Sequence, residues 1–173
     1  YEKDKLLSNF FVPLYGHHMV MNTAASIIVA LQNNLTVEEI KKLLENFKNA
    51  ARRFAIEEVN GTIIVDDYAH HPTEVKVTLQ AIRQKYPDKR LTVIFRPNTY
   101  SRTSAFKNEF ASALSEADKV YLTPIKCDRE RKEDYPPISS EDIIKLIPNS
   151  ELVDEESISK VLKDKDGVVA FMG

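Results

Sequence analysis

Apolar and polar positions alternate in two different rhythms along this chain, and the change comes at about residue 49. Before it, the pattern is helical. An Ala-, Ile- and Val-rich stretch over 23–31 predicts a strong helix, opened by residues 16–22 and broken at Asn33-Asn34. Thr36 then starts a second helix, with Glu38 and Glu39 in its first turn and Ile40, Leu43, Leu44 and Phe47 on one face. Ahead of both, Phe10-Phe11-Val12-Pro13-Leu14-Tyr15 reads as a short strand that Pro13 confines to an edge or an end.

After it, strand and helix signals take turns. Stretches 52–59 and 62–65 flank Asn60-Gly61, a strong two-residue hairpin signal. A helix over 75–86 follows, with Val75, Leu79, Ile82 and Tyr86 at helical spacing. Strands are expected over 91–95, 119–123, 151–153 and 167–171, and helices over 102–114, 139–146 and 155–162, with Ser139 or Ser140 capping the second. This alternation predicts an α/β fold: a mainly parallel, Rossmann-like sheet with helices on both faces, preceded by a hairpin and a short helical segment. The mixed charge run 127–135 reads as a mobile solvated loop.

Composition narrows the function. The 173 residues fit one domain, or one and a piece of another, and 43% hydrophobic content allows a real core. A net charge of −2 argues against a nucleic-acid surface. No apolar run approaches the roughly 20 residues of a membrane span. The single Cys127 suits a reducing cytosol. Residues 1–5 do not form a signal peptide, and without a starting Met the chain reads as cut from something longer. With only four glycines there is no dinucleotide fingerprint and no Walker loop. No Cys/His set has zinc spacing, and no Ser sits in a nucleophile elbow.

The chemistry concentrates in Asp66-Asp67-Tyr68-Ala69-His70-His71-Pro72-Thr73-Glu74, between the predicted strand ending at Val65 and the helix from Val75. Ligands of open α/β sheets bind at the carboxyl ends of strands, and this turn packs five titratable side chains there. Pro72, Thr73 and Glu74 also suit a helix's first turn, so a plain capped turn with surface histidines is the competing reading. A hairpin turning at residues 60 and 61 pairs residues whose numbers sum to about 121, which brings Arg53 within a residue of opposition to Asp67.

Three stretches together resemble the Mur ligase family, the ATP-dependent amide-forming enzymes of peptidoglycan assembly. Gly16-His17-His18-Met19-Val20-Met21-Asn22-Thr23-Ala24-Ala25 is similar to the family's Gly-x-His-Asn-x-x-Asn-x-x-Ala-Ala, with Met19 in place of its first Asn. Phe47-Lys48-Asn49-Ala50-Ala51-Arg52-Arg53-Phe54 is similar to its Phe-x-Gly-x-x-x-Arg-Phe, with Asn49 for a common Gly. The third is the acidic-histidine turn, supported by Arg96-Pro97-Asn98-Thr99-Tyr100-Ser101-Arg102-Thr103, where Asn98 replaces a usual His. Phe171-Met172-Gly173 resembles the start of the family's last sheet loop. The resemblance implies residues 1–48 as the end of a central ATP-binding domain and 49–173 as the C-terminal domain.

It also implies a reaction in the bacterial cytoplasm. ATP, with Mg²⁺ held mainly by the central domain, phosphorylates the carboxylate of UDP-N-acetylmuramate, and the amine of L-alanine displaces the phosphate. Asn22 would meet adenine, Arg53 the ATP phosphates and Asp67 the ribose hydroxyls. Tyr68, His70, Asn98, Thr99 and Arg102 would line the alanine and acyl side, with Arg102 facing a carboxylate and Arg53, Asp67 and His70 closest to the chemistry. No metal ligand is implied within this stretch, and its partners are the remaining domains of its own chain. Two alternatives stay open: a family member that attaches a whole peptide to the same sugar nucleotide, and a non-catalytic Rossmann-like binding module. Arg52 and Arg53 also read as a solvated pair, and Asn22 as a polar cap.

Overall fold

The computed structural model describes residues 6–48, 50–126, 129–161 and 167–173. Expectations for residues 1–5, Asn49, Cys127 and the far end of the 155–162 helix fall outside them. The chain divides into two units, 1–49 and 50–173.

The first unit is a helix pair, α1 (His17–Gln32) and α2 (Val37–Glu45). Gly16, at φ 95°, opens α1 six residues earlier than the apolar pattern indicated, because the polar His17, His18 and Asn22 are tolerated in its first turns. Thr36 and Glu39 close a reciprocal capping box on α2. The strand expected over residues 10–15 is not formed. Phe11 is 75% exposed, Pro13 has no N–H to give, and no described strand lies alongside.

The second unit is built on one six-stranded sheet. Its strands are β1 (Ala55–Val59), β2 (Thr62–Asp67), β3 (Leu91–Phe95), β4 (Lys119–Leu122), β5 (Ser150–Leu152) and β6 (Val168–Met172). They lie in the order β1-β2-β6-β3-β4-β5, all parallel except β1. The hairpin therefore does not precede the sheet: β2 is an interior strand and β1 an antiparallel edge. Asn60 and Gly61 both take positive φ (53° and 85°), as a type I′ turn needs. β1 starts at Ala55, three residues later than expected, because Arg52 and Phe54 also take positive φ and leave the extended region.

Helices α3 (Pro72–Lys85), α4 (Tyr100–Ala105), α5 (Lys107–Leu114), α6 (Ser140–Ile144) and α7 (Ile158–Val161) make the crossovers. Val65, Val93, Phe95, Ala170 and Leu122 alternate along their strands and pack in one core with Val75, Leu79 and Ile82 of α3 and Phe110 and Leu114 of α5. Ile158 of α7 borders a recess with Ile64, Ile94 and Phe171, which occupy the other phase of those strands, so both sheet faces carry helix. The helix expected over 102–114 breaks at Phe106 (φ −120°), whose ring turns into the core and meets His71 edge-on at 5.0 Å. In the 127–135 run, Lys132–Asp134 forms a short 3₁₀ turn. No described helix is long and apolar enough to cross a membrane.

Candidate active site

Parallel strands place their following loops on one edge, and here β2, β6, β3 and β4 end together. Asp67 closes β2, Gly173 follows β6, Arg96 follows β3 and Thr123 follows β4. The Arg96 amide donates to the Met172 carbonyl and the Thr123 amide to the Phe95 carbonyl, so the loop bases are hydrogen-bonded to one another. Gly173 sits at φ 112°, and a Cβ there would overlap the Arg96 carbonyl.

Asp67 is 8% exposed and holds the hairpin base in shape. One carboxylate oxygen accepts from the Phe54 amide at 2.8 Å, the other from the Ala69 amide at 2.8 Å. The Tyr68 amide donates to the Arg52 carbonyl at 2.8 Å, one step beyond the β1–β2 ladder. Burial lifts the Asp67 carboxyl above its ordinary value, outweighing those two amides and the nearby Arg53 charge. The result is a fixed bend with two adjacent guanidinium groups around one ring. Arg52 lies 5.1 Å and Arg53 5.8 Å from the Tyr68 centroid. Arg52 also donates to the Gly173 carbonyl at 2.8 Å and pairs with Asp66 at 3.4 Å.

The rest of the turn is organised by Glu74. Its carboxylate accepts from the His70 amide at 3.0 Å and the His71 amide at 3.2 Å, while His71 Nδ1 accepts from the Thr73 amide at 3.3 Å to cap α3. Burial pushes the Glu74 carboxyl up, but those amides and the charges of His70 and Arg53 together hold it below its ordinary value. His70 Nδ1 lies 2.7 Å from the Tyr68 carbonyl oxygen, which can only accept. Nδ1 therefore carries a hydrogen, and in the neutral ring Nε2 is the basic nitrogen. Arg102 donates to the His70 carbonyl at 3.4 Å, tying α4 to this turn.

Tyr68, His70, Asn98, Thr99 and Arg102 share a recess of about 530 Å³ with Arg52, Arg96, Lys126 and Arg129. Five residues named from sequence thus meet at one place, with Arg53 beside Tyr68 and Asp67 beneath the bend. Asn22 lies on α1, in the other unit. Sequence reading missed four contributors. Arg52 looked like a solvated charge, Arg96 sat within a motif without an assigned role, and Lys126 and Arg129 fell in or beside a charge run. Their common signal is position: each lies just beyond the carboxyl end of a strand or at the hairpin base that faces it. Among the described residues, no group of three His, Cys, Asp or Glu side chains could hold a metal ion.

Residues 52–172 match the model of the Mur ligase family's glutamate ligase domain. The UDP-N-acetylmuramate–L-alanine ligase of Lactobacillus gasseri is 46% identical over 98% of this chain, which spans 38% of that relative's length. Among solved structures, the UDP-N-acetylmuramate–alanine ligase of Thermotoga maritima superposes with a TM-score of 0.77 at 24% identity, over 98% of this chain and 37% of its own. A murein peptide ligase from Psychrobacter arcticus gives 0.69 at 21% identity, over 100% and 37%. At those identities the two structures speak for the fold.

Proposed function

The chain belongs to the Mur ligase family, and from that membership we propose that it is the C-terminal part of a ligase joining L-alanine to UDP-N-acetylmuramate at the expense of ATP. The relative at 46% identity carries that name. The observation that supports the reading most is the recess at the sheet's carboxyl edge, where Arg102, His70 and Tyr68 stand together with Asn98 and Thr99.

The reaction makes two demands on these residues. The amino acid's carboxylate has to be held while its amine, deprotonated, is aimed at an acyl phosphate. Arg102 offers a guanidinium fork to the carboxylate. His70, with Nδ1–H committed to the Tyr68 carbonyl, has Nε2 as the nitrogen to take the ammonium proton. The C–N bond then forms, and the acyl C–O bond breaks with its electron pair leaving on phosphate. Beside Tyr68, Arg53 offers charge to the ATP phosphates. Asp67 has acceptor capacity left on each oxygen for ribose hydroxyls.

Mur ligases use ATP and Mg²⁺ in general; phosphate activation here is assigned to the rest of the intact protein, in residues 1–48's own domain and beyond. The product is a peptidoglycan precursor, made in the bacterial cytoplasm and serving cell shape and division. Intact ligase carrying this segment, assayed with ATP and UDP-N-acetylmuramate, should release phosphate with L-alanine and not with a tripeptide. Turnover with the tripeptide alone would assign it to peptide recycling, and turnover with neither would remove the ligase reading. The 173-residue chain, which has no Walker loop, should make no amide on its own.

A further inference from the structure

The recess holds more positive charge than an alanine carboxylate calls for. Arg52, Arg96, Arg102, Lys126 and Arg129 all line it, and no described carboxylate does. Among the described residues, the nearby acids are already engaged: Asp66 with Arg52, Glu74 with the His70 and His71 amides and the His70 ring, and Glu130 with the Ser101 amide and hydroxyl. On the cationic side, Arg102 is tied to the His70 carbonyl and Arg52 to Gly173. Arg96 is different. Its Nε is buried and has no hydrogen-bond partner, which is costly for a donor unless a ligand supplies the acceptor. Lys126 and Arg129 make no side-chain hydrogen bond or ion pair among the described residues. Arg96, Arg102, Lys126 and Arg129 have no carboxylate partner among the described residues, and such like charges around one hollow repel each other until an anion enters.

Resting on the reading of Arg102 as the carboxylate's partner, we infer that the Arg96, Lys126 and Arg129 side of this recess is a second anion subsite that takes a phosphate oxyanion. A phosphate dianion brings two charges and several acceptor oxygens, matching guanidinium forks and a point-charge ammonium. The amide-forming step generates such an anion beside the incoming amine. A site for it at the amino-acid end of the edge would draw the expelled group away from the new bond.

The test uses the 173-residue chain. Inorganic phosphate, titrated at constant ionic strength and followed by NMR, should give saturable shifts at the Arg96 side-chain Nε–H and the Asn98 and Arg129 amides, with chloride giving none. Arg129→Gln, at an exposed position, and Arg96→Gln should each weaken binding about tenfold, as expected for loss of one charge-assisted pair. If Arg96→Gln unfolds the chain, Arg129→Gln decides alone. A parallel ADP titration sorts the source. Shifts at these residues from ADP at lower concentration than from phosphate assign the phosphate of a nucleotide; the reverse assigns the free product. No saturable shift, or shifts that both substitutions leave intact, overturns the subsite. The amino-acid reading is judged separately, by L-alanine kinetics of Arg102→Ala in the intact ligase, so either can fail without the other.

Discussion

Helices α1 and α3 both open on residues that carried the functional reading, and they could hardly be anchored more differently. α3 has a reciprocal cap from His71 and Glu74, Pro72 in its first turn, and six buried residues packed on the sheet. α1 is longer, has no side-chain cap, and buries only Thr23. Its Ile28 and Val29 are 56% and 57% exposed, beside an exposed Val20 and Met21. The lesson is that helical periodicity and burial are separate facts. α1 forms because its residues favour a helix; α3 forms because a sheet also needs it. A side chain on α3 or on the turn before it is held in place by packing, whereas Asn22 on α1 is held by backbone geometry alone.

The comparison breaks first on core substitutions. Leu79→Ala in α3 should cost about 2–5 kcal/mol, while Ile28→Ala in α1 should stay within about 0.5 kcal/mol in denaturant titrations. Comparable losses would mean α1 is packed as firmly as α3. Amide exchange should agree, being faster across 23–31 than across 91–95. Next comes the hairpin bend. Asp67→Ala leaves the Phe54 and Ala69 amides without acceptors and should cost about 1–3 kcal/mol, with lost protection at those two amides. A smaller effect, about 1 kcal/mol, is expected for Glu74→Ala, which removes one half of the α3 cap.

The smallest signal is in pH dependence, and the two carboxylates should move oppositely. Asp67 titrates above its ordinary 3.8 in the folded chain, so it adds stability at pH below 3.8 that is lost as pH rises through the folded value. Glu74 titrates below its ordinary 4.5, so its stability is present above 4.5 and lost as pH falls through the folded value. Carboxyl carbon shifts followed from pH 2 to 8 would show this; an Asp67 midpoint below 3.8 would put the burial argument in error.

Legibility in the sequence followed locality. Strand β3 matched its expected span to the residue because five successive residues are buried, leaving no ambiguity of phase. The Asn60-Gly61 turn and the Thr36–Glu39 cap were equally plain, since their chemistry lies within four residues. The acidic-histidine turn, dense in titratable groups, pointed to the edge where Tyr68 and His70 line a recess. What stayed hidden depended on distant partners. Arg52 and Phe54 adopt positive φ without being glycine, because Asp67 and Tyr68, more than ten residues away, hold the bend. Arg96 and Lys126 become neighbours only once β3 and β4 are side by side. The break at Phe106 followed from a ring that packs better than the helix would allow.

The most direct test is steady-state kinetics of Arg53→Ala and Arg102→Ala in intact ligase. Arg53→Ala should lower kcat/KM for ATP by two or more orders of magnitude, about 3 kcal/mol of transition-state binding, while Arg102→Ala should chiefly raise KM for L-alanine. If both variants keep near-normal kinetics and lose only thermal stability, the edge formed by β2, β3 and β6 is structural and the ligase site lies elsewhere.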